Sequence, residues 1–573
     1  MGWEMTDEFC LGIDLGTTYS CMAYVDDDGQ PVVDKNFEQE ETTPSVILFN
    51  ENGEIIVGSP AKEMTLMYPP DRIVTAIKRE MGKDYTVTID DTKYSPVTLS
   101  AVILRKMIND FNDNHACDVK KAVITVPAYF GQNERDATKL AGKVAGLEDV
   151  SIINEPTAAA ISFGFGHMDG GKKRILVYDL GGGTFDVTVL EIDGKSFTAI
   201  ATDGERLLGG KDWDAALTKI ILRKLSEQSG IEEEDIEADA DISQTLTLDS
   251  ETLKKRLSTA ESTKGTMSVG GKKVVYSVTR SEFDTATKPL IQTTVDIMKR
   301  LLASKNLSGS DIDSILLVGG SSRMPQVREN ISAAFPDTSI ELFDPDQSVA
   351  KGAALYSKSR DLVDNGISDG VPAEEAPAEE ETPAERPAEE APAEAVPEEQ
   401  PAEEAPAEEE TPAEQPAEKK PAAGVNISVH NVLSKSFGIC ATDDTKKNYI
   451  SNIIFRNEVL PITAVRTYYP VDDGQPSIKV QIYENAAMNN AEGKKVGISD
   501  GNRVGEFQMN LPGEVTRDTP VTVKFTATDE GILTASVDCM DVHRDYELRN
   551  SFQMSAEEIE KSQGLMEKVS RME

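Results

Sequence analysis

The sequence predicts an α/β protein with two similar halves, followed by a domain of antiparallel β-strands. Three observations lead to this prediction. From residue 9 to about 358, strand patterns alternate with helix patterns, as in α/β architectures. A strand that leads into an aspartate and a glycine turn occurs twice in that region, which indicates a duplication. From 425 to 552 the hydrophobic period is two, which indicates a compact β-sandwich of short strands.

The glycine turn Gly181, Gly182 and Gly183 is the stretch that points to chemistry. Apolar runs at 175–177 and 187–190 lead in and out, so the turn joins two strands. Three glycines let the backbone approach a ligand and aim several amide groups at one point, which suits an anion. Asp179 would favour the divalent cation that accompanies a phosphate. For this stretch alone, a plain hairpin without a ligand is the alternative.

The same plan occurs near the N-terminus. Asp14, Leu15, Gly16 and Thr17 follow an apolar strand, as Asp179, Leu180 and the later glycines do. Two matching phosphate turns, well separated in the chain, predict a nucleotide with Mg²⁺ bound between two halves.

Composition excludes several classes of function. The formal net charge of −42 argues against non-specific binding to nucleic acid or to anionic membranes. No apolar run is long enough to span a bilayer, and residues 1–8 carry acids where a signal peptide needs a basic region. We therefore expect a cytoplasmic protein. The five cysteines are scattered without metal-site spacing.

Helix signals mark out the α/β region. Helices are predicted at 99–112, 133–145, 212–226 and 281–302. The last is preceded by Thr279 and Glu282 with capping-box spacing. Ser555 and Glu558 have the same spacing before a short charged helix near the end of the sequence.

An acidic segment separates the two folded regions. Residues 371–424 contain 18 Glu, 11 Pro, one Arg and two Lys in Pro-Ala-Glu repeats. Such a segment repels itself and buries no apolar area, so we expect a disordered, extended tether. The predicted domains are a nucleotide-binding domain at 9–365, a linker at 366–424, a sandwich at 425–552 and a short helix at 553–573.

Five motifs in order resemble those of the heat-shock protein 70, or DnaK-type, chaperones. They are GIDLGTTYS from Gly12, VPAYF from Val126, INEPTAAA from Ile153, DLGGGTFDV from Asp179 and LVGGSSRMP from Leu317. The resemblance covers nearly all of 9–358. It implies the actin-like ATPase fold, with two lobes of a duplicated ribonuclease H-like core around an ATP or ADP site.

The resemblance also implies the site residues. The phosphates would be held by Gly16, Thr17, Thr18, Tyr19, Gly181, Gly182, Gly183, Gly209 and Gly210. Asp14 and Asp179 would position Mg²⁺ through its waters, and K⁺ is a further candidate cation. Lys78 would approach the γ-phosphate, and Glu155, with Asp179 and Thr184, would orient the attacking water. From sequence alone, Lys78 also fits an exposed helix lysine.

For the adenosine, the resemblance implies two groups of residues. The first is Gly319, Gly320, Ser321, Arg323 and Asp346. The second is Glu261, Lys264 and Ser268, expected on a helix. The position after Lys264, an arginine that stacks on adenine in many members of the family, is Gly265, which predicts weaker nucleotide binding.

The β-rich part resembles the peptide-binding sandwich of the family at lower identity. Its central pocket would be lined by Ile439, Tyr468 and Ile478, which suits extended apolar segments of unfolded proteins. Ordinary core positions are the alternative for each of the three. A J-domain co-chaperone and a nucleotide exchange factor are the other partners that the resemblance implies.

Three departures from the family pattern concern coupling between the domains. The linker, a run of leucines ending in Asp in the family, is here 427–432 with alternating apolar residues and Asn431, so it is either a weakened docking strand or evidence of lost coupling. Ser151 replaces an arginine that serves the domain interface and the J-domain partner, and its loss removes a charged contact. About one helix stands where the family has a helical lid, which predicts rapid client exchange.

Three functions are open at this point. The first is an ATP-hydrolysing chaperone. The second is a nucleotide-dependent scaffold with a tethered partner-binding domain and no coupled cycle, which the acidic segment and the altered linker motivate. The third is a sugar-type kinase, because one fold can host several chemistries; the sandwich and the INEPT stretch argue against it.

Overall fold

The computed structural model describes residues 9–166, 171–364, 427–443, 445–487, 495–511, 515–547 and 554–569. The predicted linker at 366–424, with its acidic tether at 371–424, lies outside these residues. In the described ranges, no helix combines the length and the apolar character needed to cross a bilayer.

The first lobe is a mixed sheet with helices packed on it. Its strands are β1 (Cys10–Asp14), β2 (Tyr19–Val25), β3 (Pro31–Val33), β4 (Thr43–Pro44), β5 (Val46–Phe49), β6 (Ile55–Val57), β7 (Ile73–Thr75), β8 (Val87–Ile89), β9 (Thr92–Tyr94), β10 (Lys121–Val126) and β11 (Asp149–Asn154). Its helices are α1 (Ser59–Glu63), α2 (Pro96–His115) and α3 (Gln132–Val144). The main sheet has the order β11-β10-β1-β2-β3.

The second lobe begins after helix α4 (Glu155–Phe165). Its strands are β12 (Lys173–Leu180), β13 (Phe185–Asp193), β14 (Ser196–Glu205), β15 (Ser262–Val269), β16 (Lys272–Thr279), β17 (Ser314–Val318) and β18 (Ser339–Leu342). Its helices are α5 (Gly210–Ser229), α6 (Glu233–Glu237), α7 (Ala240–Leu257), α8 (Arg280–Ser304), α9 (Pro325–Ala334) and α10 (Ser348–Asp364).

The two lobes share one topology. The second sheet runs β18-β17-β12-β13-β14, and in both sheets three antiparallel strands in chain order are extended by two parallel ones. The predicted duplication is therefore confirmed. Helices α4 and α10 lie between the sheets, where they share a core with β12 and β17. At their crossing, a Cβ on Gly352 would lie 1.7 Å from the carbonyl oxygen of Ala158, so only glycine allows this approach.

The C-terminal region is rich in strands. It contains β19 (Ser428–His430), β20 (Ser436–Thr442), β21 (Asn448–Ile454), β22 (Ile462–Tyr468), β23 (Ser477–Asn485), β24 (Gly501–Asn510), β25 (Val521–Ala527), β26 (Leu533–Cys539), β27 (Val542–Glu547) and helix α11 (Ala556–Leu565). The sheets β21-β20-β23-β24 and β22-β25-β26-β27 enclose one core, which includes Ile482 and Phe525. We call β20–β27 the β-rich domain. It has the two-sheet arrangement that the alternating pattern predicts.

Local sequence explains why the helices begin where they do. The hydroxyl of Ser95 accepts a hydrogen bond from the backbone of Thr98, and Pro96 occupies the first position of α2. Thr279 and Glu282 form the predicted capping box of α8, and Ser555 and Glu558 form that of α11. The four predicted helices are observed as α2, α3, α5 and α8, and each of their ends lies one to three residues from the predicted bound.

Candidate functional site

Four carboxylates and one lysine meet between the lobes. Asp14 ends β1, Glu155 begins α4, and Asp179 and Asp186 lie on the hairpin β12–β13. Lys78, on the short helix Ile77–Glu80, forms an ion pair with Glu155 and is only 6% exposed. The interpretation of Lys78 as an exposed lysine is therefore wrong. Asp186 was missed from sequence, although it is the penultimate residue of the quoted DLGGGTFDV motif.

The electrostatics of this acid cluster favour a bound cation. Burial, and then the charge of Glu155, raise the pKa of Asp14 to about 7, although Lys78 opposes them. Burial and the neighbouring carboxylates also raise the pKa values of Asp179 and Asp186. Within the described residues, neither carboxylate oxygen of Asp186 has a hydrogen-bond partner. Buried oxygens of this kind are what a hard cation such as Mg²⁺ or K⁺ requires, so the residues fit that group.

The two predicted phosphate turns approach each other closely. A Cβ on Gly182 would lie 2.0 Å from the hydroxyl oxygen of Thr18, and one on Gly183 would lie 2.5 Å from a methyl of Thr17. The hydroxyl of Thr18 is buried and has no hydrogen-bond partner among the described residues. The glycines are therefore needed for space, and the cradle between the turns suits the phosphate oxygens of a nucleotide.

Helix α5 completes this side of the cradle. The amides of Gly210 and Lys211 donate to the carbonyl oxygens of Gly181 and Gly182, both at 2.9 Å. These bonds place the N-terminus of α5 directly behind the glycine turn. The positive end of the helix dipole adds to the attraction for an anion.

Charged side chains connect the lobes across the cleft. Arg79 of the first lobe donates to the carbonyl oxygen of Gly183 and to Asp212, both at 2.9 Å. Lys62 pairs with Glu251 of α7 at 2.6 Å, and the Tyr19 hydroxyl donates to Glu251 at 3.0 Å. These contacts link the two lobes across the cleft.

The cleft has a volume of about 1670 Å³, and the whole first predicted adenosine group lines it. Gly319, Gly320, Ser321, Arg323 and Asp346 all lie along it. The guanidinium of Arg323 pairs with Asp346 at 2.5 Å. The residues from Gly319 to Arg323 directly follow strand β17, and Asp346 comes after β18. They lie at the same end of the sheet as Asp179, which pairs with Val318.

The second predicted adenosine group is wrong in its secondary structure. Lys264 and Ser268 lie on strand β15, and Glu261 precedes it, with its side chain exposed and paired to Arg280. Gly265 does not face the cleft: a Cβ there would lie 2.3 Å from the ring of Tyr276, so a glycine is required by packing. The prediction of weaker nucleotide binding, which rested on Gly265, loses its basis.

The same residue spacing occurs ten positions earlier, on α7. There Glu251, Lys254, Lys255 and Ser258 line the cleft. Sequence reasoning missed them because both stretches read Glu-x-x-Lys-x-x-x-Ser. Hydrophobic period distinguishes them: buried positions around 251–258 recur at helical intervals, whereas those of 262–269 nearly alternate.

The predicted peptide-binding residues belong to one cluster of the β-rich domain. Ile439 is 6% exposed, and Tyr468 and Ile478 are partly buried against the same core. The hydroxyl of Tyr468 donates to that of Ser451 on β21 at 3.0 Å. Such burial fits core positions as well as a pocket, so their role in peptide binding stays a prediction.

The linker is docked as a strand. β19 pairs in parallel with the edge of β14, with Ser428 opposite Ser196 and His430 opposite Thr198. Asn431 accepts hydrogen bonds from the Thr157 hydroxyl at 3.0 Å and from the Asn154 side chain at 3.4 Å. The segment is therefore a docked strand, as one of the two expectations had it, and the loss of coupling stays untested.

Charged contacts exist close to Ser151, but they are made by other residues. Glu530, in the turn before β26, accepts from the backbone of Ile152 at 3.3 Å and pairs with Lys139 at 2.6 Å and with Arg360 at 3.2 Å. Other cations thus supply the charge that Ser151 lacks.

The α/β region of this chain is similar in sequence to known proteins. The family model described as "Hsp70 protein" matches residues 10–90 and 85–360. Proteins named "Chaperone protein DnaK" from Thermotoga petrophila, Thermotoga maritima and Thermotoga neapolitana are each 42% identical to this chain over 372 residues. Each match covers 62% of this chain and 62% of the relative, so it spans less than two thirds of either protein.

Proposed function

The chain belongs to the Hsp70 family, and on that premise we propose that it is a chaperone that hydrolyses ATP and binds extended apolar segments of unfolded proteins. The observation that carries the proposal is the buried ion pair of Lys78 within the acid cluster, beside the phosphate cradle. That arrangement suits hydrolysis of a phosphoanhydride, which depends on positioning and on charge stabilisation.

Each residue of the cleft then has a role. A bound Mg²⁺ would neutralise charge on the phosphate oxygens. Asp14 and Asp179 would hold its waters, one from each lobe. Lys78 would donate toward the γ-phosphate, and Glu155, held in place by Lys78, would orient the attacking water with Thr184. Asp186 would hold a further cation or water through its unpartnered oxygens.

On the adenosine side, we propose that Glu251, Lys254, Lys255 and Ser258 act together with Arg323 and Asp346. Three of these residues lie on α7 and Ser258 directly follows it, so they recur at helical spacing along one side of the cleft, and their polar groups suit a ribose and a purine. This replaces the assignment to Glu261, Lys264 and Ser268.

The docked linker supports a coupled cycle over a passive scaffold. β19 extends the sheet that carries the glycine turn. A conformational change in the turn would therefore be transmitted to the linker through the adjacent strands β13 and β14. A tethered scaffold without coupling requires no such contact. We therefore propose that the nucleotide state changes the peptide affinity of the β-rich domain, with Ile439, Tyr468 and Ile478 lining its pocket.

The domain division and the remaining partners are proposals of the same kind. We assign residues 9–365 to the nucleotide-binding domain, 366–424 to the linker segment, 425–552 to the peptide-binding domain and 553–573 to a short C-terminal helix. A J-domain co-chaperone and a nucleotide exchange factor are the proposed protein partners. The cytoplasmic location stays a prediction.

Hydrolysis tests the proposal directly. Purified protein should release phosphate from ATP only with Mg²⁺ present, and Asp179→Asn should remove most of this activity. Activity that is independent of Mg²⁺, or unchanged in Asp179→Asn, would refute the assignment of the site. Transfer of phosphate to a sugar would identify a kinase.

A further inference from the structure

The last turns of α10 contact the segment that leads into the linker strand. The hydroxyl of Ser359 accepts a hydrogen bond from the backbone N–H of Ile427 at 2.7 Å and donates to the carbonyl oxygen of the same residue at 3.3 Å. Ile427 immediately precedes β19, and both residues are buried. Because one side chain satisfies both backbone groups of Ile427, it fixes where β19 begins.

The next residue contacts the β-rich domain. Arg360 lies 3.2 Å from Glu530, whose side chain is only 9% exposed. A carboxylate so far removed from water requires cations close to it. Lys139 pairs with it from α3 and Arg360 pairs with it from α10, while the buried guanidinium of Arg135 donates to the Glu530 carbonyl oxygen at 3.1 Å. The nearby strand residue Ser151 carries no charge, so the guanidinium comes from a different element.

These contacts also bring together the two ends of a long stretch of chain. Ser359 is five residues from Asp364, about 8 Å along a helix. Since Ile427 is bound to Ser359, the described residues on either side of 365–426 are close neighbours, although 62 residues separate them. The distance between the lobes and the β-rich domain is therefore not set by the length of that stretch.

We propose that Ser359 and Arg360 form a clasp that positions the linker strand and the β-rich domain on the two lobes, so that docking is independent of residues 365–426. Ser359 and Arg360 are positioning residues, because neither lies in the nucleotide cleft. The consequence for peptide affinity rests on the proposed function, whereas docking itself is a structural property.

The clasp and a simple tether make different predictions for a shortened chain. Deletion of 371–424 leaves eight residues between Asp364 and Ile427, which easily span the gap. With the clasp intact, a shorter loop costs less entropy to close and favours docking by up to about twentyfold. If the acidic stretch were a required spacer, the same deletion would undock the linker.

Hydrogen exchange of the β19 amides in the full chain, measured with ATP and with ADP, tests the proposal. Ser359→Ala and Arg360→Met should each lower β19 protection in the docked state, by about fivefold and at least tenfold respectively. The matched control is Lys358→Met, which removes an exposed cation from the same turn and should change protection less than twofold. Unchanged protection of β12 would show that the lobes remain folded.

A double-mutant cycle sharpens the test. Arg360→Met should have less effect in a Glu530→Gln background than in the native chain, because the two groups act as a pair. Three results would overturn the clasp. They are loss of β19 protection on deletion of 371–424, unchanged β19 protection in both clasp substitutions, and absence of β19 protection from the native chain in every nucleotide state. If β19 is protected in the native chain but the peptide affinity is the same with and without ATP, the result would refute the proposed function alone.

Discussion

Arg456 of the β-rich domain and Asp203 of the second lobe form a buried ion pair, with 2.8 Å between Nη2 and Oδ1. The same guanidinium donates to the carbonyl oxygen of Thr202 at 2.7 Å, and the Asn457 side chain accepts from the Thr202 amide at 3.0 Å. These contacts lie at one end of β14, and the linker strand pairs with its other end. β14 is thus the strand on which both parts of the C-terminal region dock.

Asp203→Asn should weaken docking of the β-rich domain by at least about thirtyfold, because it leaves Arg456 buried without its counter-charge. Hydrogen exchange at Thr202 and Asn457 measures this change. The control is Arg300→Met: Arg300 pairs with the other oxygen of Asp203 at 2.8 Å but is half exposed, so its loss should have a much smaller effect. Equal effects of the two substitutions would mean that the ion pair does not hold the domain.

Lys78→Met should lower the rate of ATP hydrolysis by about a hundredfold or more, because it removes the buried cation that pairs with Glu155 in the acid cluster. Single-turnover assays separate this effect from nucleotide binding. Lys83→Met removes a surface lysine that pairs with Glu80 at 2.9 Å, and it should leave the rate unchanged. A Lys78 variant that hydrolyses ATP within threefold of the native rate would contradict the assigned role.

Two glutamates ten residues apart distinguish the two assignments of the adenosine site. Glu251→Gln should raise the Kd for ADP by about tenfold, since a charged hydrogen bond and the pair with Lys62 are lost. Glu261→Gln should leave the Kd unchanged, because Glu261 is exposed and pairs with Arg280. Titration calorimetry measures both constants. The reverse result would restore the original assignment to 261–268.

Docking should also depend on pH through Glu484. Its carboxylate lies against Gly131, where a Cβ would be 2.3 Å from it, and its Oε2 accepts from the Gln132 amide at 3.4 Å. Burial, and then the charge of Glu134, raise the pKa of Glu484 to about 7, with Lys435 opposing them. If undocking exposes Glu484, its pKa falls toward the usual value near 4.3, so docking takes up a proton.

The sign of this effect follows from linkage. Docking is strongest below pH ~4.3, weakens by up to about tenfold per pH unit above it, and levels off once the pH exceeds ~7. Glu484→Gln mimics the protonated side chain and should flatten the dependence between pH 5 and 8. Exchange of the Gln132 amide across that range reports the effect. An identical pH profile in the native chain and the variant would exclude Glu484 as the source.

Much of the site was predictable from sequence because several of its residues lie at the ends of strands. Asp14 and Asp179 end strands of a duplicated pattern, so their meeting follows from the topology. The α7 residues were not recovered, since one spacing occurs twice and only the change from helical to alternating period distinguishes the copies. The contacts of Arg360 with Glu530 and of Arg456 with Asp203 join residues at least 170 positions apart, so no local sequence pattern predicts them.

The most direct test of the account is the affinity of the full chain for an extended Leu-rich peptide, measured with saturating ATP and with ADP. We expect the two dissociation constants to differ by at least tenfold, a coupling of about 1.4 kcal/mol. The difference should collapse in Asp203→Asn, in which docking is weakened while the nucleotide cleft is retained. Equal affinities in the native chain, with ATP binding demonstrated in the same sample, would contradict the claim that the cleft controls the β-rich domain.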